Sequence, residues 1–146
     1  MQQLWQNPLS RMNMKLIVNT DGLSKGNPGP AAIGATLKDS HGKLVASISQ
    51  VIGITTNNVA EYQALIATLE KALKLGAKEI EVRSDSELMI RQLGGRYKIK
   101  SAALAPLYQK AARLLGQFEA VKITHIPREL NAEADKLANQ AIKQKL

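Results

Sequence analysis

The hydrophobic period of this chain changes partway along it, and that change limits the folds it can adopt. Three short apolar or alternating runs come first, Met14 to Thr20 (MKLIVNT), Ala31 to Lys38 and Lys43 to Val51. Turn chemistry separates them: Gly22 to Pro30 (GLSKGNPGP) continues neither a helix nor a ladder, and Asp39-Ser40-His41-Gly42 suits a hairpin. This predicts a three-stranded antiparallel meander. After Thr55-Thr56-Asn57-Asn58 the period becomes 3.6, with Leu65, Leu69, Ala72 and Leu73 on one stripe and Gly76 placed to stop a helix over about 59–75. A chain that switches period in this way needs both a sheet and helices to cover it.

The remainder alternates. Glu79 to Ser84 reads as a fourth strand and Ser86 to Leu93 as a short helix stopped by Gly94-Gly95. A basic connector, Arg96 to Lys100, leads to a helix that Ser101 can cap and that runs to about Gln117. Val121 to Ile126 is a fifth strand, Pro127 to Leu130 a short loop, and Asn131 the cap of a last helix with Leu137, Ala138, Ala141 and Ile142 inward. The order βββαβααβα predicts an α/β fold with a five-stranded mixed sheet, three antiparallel strands followed by parallel ones, flanked by helices. Residues 1–13 (MQQLWQNPLSRMN) show no periodicity and contain Pro8, so a flexible tail is expected there, ahead of a domain over 14–146.

Composition narrows the function. With 146 residues and 45% apolar content the chain suits one domain, and with only five aromatic residues its core must be aliphatic. The absence of cysteine excludes a disulfide framework, a thiolate zinc site and a cysteine nucleophile, and fits a cytoplasmic protein. No apolar run approaches the ~20 residues of a membrane helix, so no membrane association is expected. The net charge is +8, and between Lys71 and Arg113 ten Lys and Arg stand against four Asp and Glu. That excess favours a polyanionic partner, with a merely solvated face equally open from charge alone.

Four acids fall at expected element ends: Asp21 after strand 1, Glu61 in the first turn of the long helix, Asp85 after strand 4 and Asp135 in the first turn of the last helix. Each singly has a structural reading. Asn58-x-x-Glu61 and Ser84-x-x-Glu87 have the pattern of capping boxes, and Asp135 suits a helix N-terminus. As a set they point elsewhere, because Asp21 and Asp85 would project into the crevice where open α/β sheets bind ligands. Clustered carboxylates repel one another and raise each other's pKa, so cations must neutralise them. Oxygen donors without thiols select Mg²⁺ or Mn²⁺, and two such ions about 3.5 to 4 Å apart serve in-line phosphodiester hydrolysis.

The motifs Thr20-Asp21-Gly22-x-x-x-Gly26-Asn27-Pro28-Gly29-Pro30, Thr55-Thr56-Asn57-Asn58-x-x-Glu61, Ser84-Asp85-Ser86 and Asn131-x-x-x-Asp135-x-Leu137-Ala138 resemble those of type 1 ribonuclease H, in family order, over about 14–142. The resemblance implies an endonuclease that cuts the RNA strand of RNA/DNA hybrids and leaves 5′-phosphate and 3′-hydroxyl ends. It implies two Mg²⁺ ions, with Mn²⁺ as a substitute, held by Asp21, Glu61, Asp85 and Asp135. It also implies hybrid contacts from Asn27, Asn57 and Asn58, with Thr56 at a DNA-phosphate pocket; Ser24 and Lys25 share the same turn and are candidates to face phosphate. Taken without the family, Asn57-Asn58 reads equally as a loop and helix cap.

Some features depart from the family pattern. Glu87 stands where many members have a Gln, which weakens the expected substrate contact there. The basic protrusion is replaced by Gly94 to Lys100 (GGRYKIK), and the loop that commonly carries a His is shortened to Pro127-Arg128-Glu129-Leu130. Arg128 is the candidate to replace that His, ahead of Glu129. His125 is expected to be a packed or partly exposed strand residue and His41 a solvated turn residue. The shortened form resembles the subgroup lacking both the protrusion and the His loop, for which cleavage of hybrid and also of double-stranded RNA by a monomer is expected. Two rival readings are a silent hybrid-binding module and an integrase-like strand-transfer core.

Overall fold

The computed structural model describes residues 14–95 and 98–145, with side chains described to 144. Five strands, β1 (Lys15–Ser24), β2 (Gly29–Asp39), β3 (Leu44–Thr55), β4 (Glu79–Ser84) and β5 (Ala120–His125), form one sheet in the order β3-β2-β1-β4-β5. The β1–β2 and β2–β3 pairs are antiparallel, whereas β1–β4 and β4–β5 are parallel. Among the described residues four helices flank the sheet: α1 (Asn57–Lys74), α2 (Glu87–Leu93), α3 (Ala105–Leu115) and α4 (Ala132–Lys145). A 3₁₀ turn, Arg128–Asn131, occupies the expected loop before α4. The expected order and mixed sheet are therefore present. The expected tail over 1–13 lies outside the described residues, as do Arg96 and Tyr97 of the basic connector.

The core is aliphatic. Leu16 and Val18 of β1, Ile80 and Val82 of β4 and Leu65 and Leu69 of α1 are at most 2% exposed and belong to one cluster. At about 25 cal/mol per Å² of apolar surface, each such side chain contributes roughly 1.5–3 kcal/mol. Ala111 of α3 and Leu104, which immediately precedes that helix, close this side. A smaller cluster, Ala32 of β2 with Ala141 and Ile142 of α4, lies apart from it.

Several boundaries differ from the sequence reading, β3 among them, which runs on to Thr55 rather than Val51, and three of the shifts have a plain physical cause. β1 continues past Thr20 to Ser24, because β2 keeps pairing with it as far as Ser24 opposite Ala31, so Asp21 lies inside the strand. The turn needs only the residues around Gly26 and Asn27, both at positive φ (113° and 37°). The long helix begins two residues earlier than expected and is capped by Thr56, whose Oγ1 accepts from the Val59 N–H at 3.2 Å. Finally, α3 starts at Ala105 with Pro106 in its first turn, where the missing N–H costs nothing. Ser101 instead caps the preceding turn by accepting from Ala103 and Leu104.

Candidate active site

Two glycines bring the helices close enough to the sheet to assemble a site. A Cβ on Gly22 would lie 2.2 Å from the carbonyl carbon of Ala60, so only glycine lets α1 settle against β1 there. A Cβ on Gly34 of β2 would lie 2.2 Å from the Ala134 carbonyl oxygen, so α4 rests on β2 in the same way. A glycine inside a strand marks this kind of close backbone approach. Glu61 and Asp135 are consequently carried to Asp21, while Asp85 directly follows the C-terminal end of β4, among the parallel strands.

Asp21, Glu61 and Asp85 offer carboxylate oxygens that all lie within 4.8 Å of one another. Asp135 joins them in lining a cavity of about 440 Å³, together with Ser24, Asn57 and Arg128. Asp21 is 6% exposed. Its carboxyl is pushed up to about 8 by burial first, then by the Asp85 charge and by the hydrogen bond and charge of Asp135; Arg128 opposes the shift. Burial and the charges of Asp21 and Asp85 also raise Glu61 well above the usual carboxylate range, against the lowering effect of its bond from the Gly22 N–H at 3.0 Å. An all-oxygen donor set this crowded fits a hard divalent cation.

The capping readings of these acids do not hold. Glu61 lies beyond the first turn of α1 and accepts from Gly22 across the site, so Asn58-x-x-Glu61 is no capping box. In the Ser84-x-x-Glu87 stretch the cap of α2 is Ser86, which accepts from Met89; the Ser84 hydroxyl accepts from Ser86. Asp135 does lie in the first turn of α4.

The remaining candidates form a wall beside the carboxylates. Asn57 Oδ1 accepts from the Ser24 N–H at 2.7 Å, and Asn27 Oδ1 accepts from the Asn57 N–H at 2.9 Å, so the two loops are tied together. Asn57 and Asn58 are exposed, and Thr56 sits beneath them as the cap. Arg128 is exposed at the cavity edge; Glu129 is exposed and does not line it. Glu87 is outside the cavity and bonded to Arg91 at 2.7 Å, one turn along α2. His125 is exposed rather than packed, because β5 is an edge strand; His41 is exposed in the hairpin turn.

Two functional neighbours escaped the sequence reading. Asn139 lines the cavity and donates from Nδ2 to the Asp135 main-chain oxygen (2.9 Å) and to its Oδ1 (3.2 Å); the i, i+4 spacing was the available signal. Its Oδ1 accepts from Lys25 Nζ at 3.4 Å, which draws Lys25 over the site. Asn131, expected as a helix cap, is 1% exposed and directs its amide to Thr20 and Asp85 instead.

Sheet order, helix placement and an acidic cavity at the end of parallel strands define the class, an α/β domain with a metal-type carboxylate site. The family described as reverse transcriptase-like matches residues 19–141. A bifunctional protein of Mycobacterium tuberculosis is 46% identical over 130 residues, covering 88% of this chain and 36% of that protein. The chain thus spans about a third of the length of the first curated relatives it matches. The ribonuclease H of Chlorobium phaeovibrioides is 33% identical, covering 92% of this chain and 99% of the relative. Among solved structures, RNase H1 of the halophilic archaeon Halobacterium salinarum superposes with a TM-score of 0.87 at 44% identity, covering 89% and 98% of the two chains. LC11-RNase H1 in complex with an RNA/DNA hybrid gives 0.85 at 44% identity, again covering 89% and 98%. The chain belongs to the ribonuclease H family.

Proposed function

We propose that this chain is an endoribonuclease that hydrolyses the RNA strand of RNA/DNA hybrids and leaves 5′-phosphate and 3′-hydroxyl ends. The observation that carries the reading is the triad of mutually close carboxylates, Asp21, Glu61 and Asp85, set in a strongly basic chain of this family. With Asp135 they would hold two divalent ions, Mg²⁺ with Mn²⁺ as a substitute. When bound, these ions supply activation of the attacking water and stabilisation of the leaving 3′ oxygen.

The chain's own residues do the rest. Asp21 and Glu61, kept from ionising freely by burial and by neighbouring charges, become good ligands once a cation offsets that repulsion. Asn27, Asn57 and Asn58 present amides on a wall braced by the bonds of Asn57 to Asn27 and Ser24, suited to sugar and minor-groove edges, and the RNA 2′-hydroxyl is what such groups distinguish. Thr56 and Ser24 sit within that wall where a phosphate would lie. Arg128 and Lys25 bring positive charge to the rim, and Arg128 takes the part of the family's loop histidine in releasing phosphate. Glu87, tied to Arg91, contributes a weaker substrate contact than the family's amide. The same reading includes double-stranded RNA as a secondary substrate, a monomeric state and a cytoplasmic location. No described helix is long and apolar enough to cross a membrane.

End-labelled RNA/DNA, RNA/RNA, DNA/DNA and single-stranded RNA incubated with Mg²⁺, Mn²⁺ or EDTA test this directly. Cutting of the hybrid's RNA strand, lost in EDTA and in Asp85→Asn, is expected. Tight hybrid binding without cutting would favour the silent binding module.

A further inference from the structure

The amide of Asn131 is engaged at both ends. Its Nδ2 donates to the Thr20 main-chain oxygen at 2.8 Å and to Asp85 Oδ1 at 3.2 Å, while its Oδ1 accepts from Asn19 Nδ2 at 3.1 Å. The side chain is 1% exposed, so water cannot take over any of these bonds cheaply. Thr20 immediately precedes Asp21, and Asn131 ends the 3₁₀ turn that begins with Arg128. One buried amide therefore links the mounts of Asp21 and Asp85.

An amide has two nearly isosteric ends, and only one orientation works here. Turned by half a rotation, Oδ1 would face two acceptors, Thr20 O and Asp85 Oδ1, and the NH₂ group would face the NH₂ of Asn19. Asn19 lies on β1, in register with Thr36 of β2 and Arg83 of β4, and so is held from both sides. We infer that Asn19 is a positioning residue: by donating to Asn131 Oδ1 it holds that amide in the orientation the Thr20 carbonyl requires, and through it the carboxylate of Asp85. It touches neither substrate nor metal. Groups behind a ligand that orient it affect metal affinity by roughly 10–100-fold.

The inference rests on the metal-site reading above, and binding to the free enzyme separates the two. Mn²⁺ titration of the full chain, followed by the EPR signal of unbound Mn²⁺, is compared for the native protein and Asn19→Leu, which keeps size and removes the donor. A roughly 10-fold or greater loss of Mn²⁺ affinity is expected, with kcat falling while KM for the hybrid holds. Asn19→Ala is read by the same criterion if the leucine variant does not fold. In a double-mutant cycle, Asn19→Leu added to Asn131→Ala should cost no further affinity. Native Mn²⁺ affinity in both Asn19 variants, or fully additive losses in the cycle, would overturn the positioning role alone. Failure of the native protein to bind Mn²⁺ would overturn the metal site and this inference with it.

Discussion

Asp21 and Gly34 face each other across the β1–β2 ladder, and the bare Cα of Gly34 is what allows α4 to lie over that point of the sheet. Ala134, whose carbonyl a Cβ on Gly34 would strike, directly precedes Asp135, which lines the same cavity as Asp21. A strand glycine thus sets the separation of two carboxylates from different ends of the chain.

Gly34→Ala should therefore damage the site as well as the fold. Overpacking of this kind costs about 1–3 kcal/mol or more, and the contact is with backbone, which cannot rotate away. A lowered Tm together with weaker Mn²⁺ binding is expected; Gly22→Ala, striking the α1 backbone, should behave alike. Native Tm and native Mn²⁺ affinity in Gly34→Ala would show that α4 does not rest there.

Asp85→Asn should reduce cleavage to background while leaving hybrid binding near native, since substitution removes a ligand charge and leaves the amide wall untouched. Gel-shift and cleavage assays on one preparation decide it. Native cleavage rates in the variant would refute the assignment of Asp85.

The metal-free protein should lose stability as pH rises from about 4 to about 8. Asp21 binds its proton more tightly folded (about 8) than at its ordinary 3.8, so its contribution is full below the lower value and lost as pH passes through the upper one. Glu61, also raised, acts in the same direction. Asp39, lowered by its bonds from Lys43 and His41, acts oppositely but below its ordinary 3.8, outside this window. Melting curves in EDTA should fall across the range, and saturating Mg²⁺ or Asp21→Asn should make that fall shallower, with the Glu61 contribution left in the variant. A flat EDTA profile for the native protein would contradict the assignment.

Asn57→Ala removes the acceptor of the Ser24 N–H and unbraces the wall, so it should raise KM for the hybrid more than it lowers kcat. Steady-state kinetics would reveal the reverse split if Asn57 acted on the reacting phosphate instead.

Arg128→Ala should weaken hybrid binding and reduce the slope of log affinity against log salt by about 1, the signature of one lost phosphate contact. A slope unchanged from the native protein would confine Arg128 to its influence on Asp21.

Much of this protein could be read without coordinates. The change from period 2 to period 3.6, the glycines and prolines between runs and the Gly76 stop determined the order βββαβααβα, because these are local preferences of backbone and stripe. Asp21, Glu61, Asp85 and Asp135 stood out by position in the motifs. Other features depended on partners distant in sequence. Nothing local shows that Glu61 accepts from the Gly22 N–H, 39 residues away, or that Asn131 turns to Asp85, 46 residues away. Nor does β1 alone reveal that it extends to Ser24, which β2 decides by continuing to pair. The sequence by itself determined which elements form and which acids are available. Tertiary structure decided their separations, their burial and the raised pKa of Asp21, because desolvation and Coulomb repulsion depend on how closely helices and strands pack, here at Gly22 and Gly34.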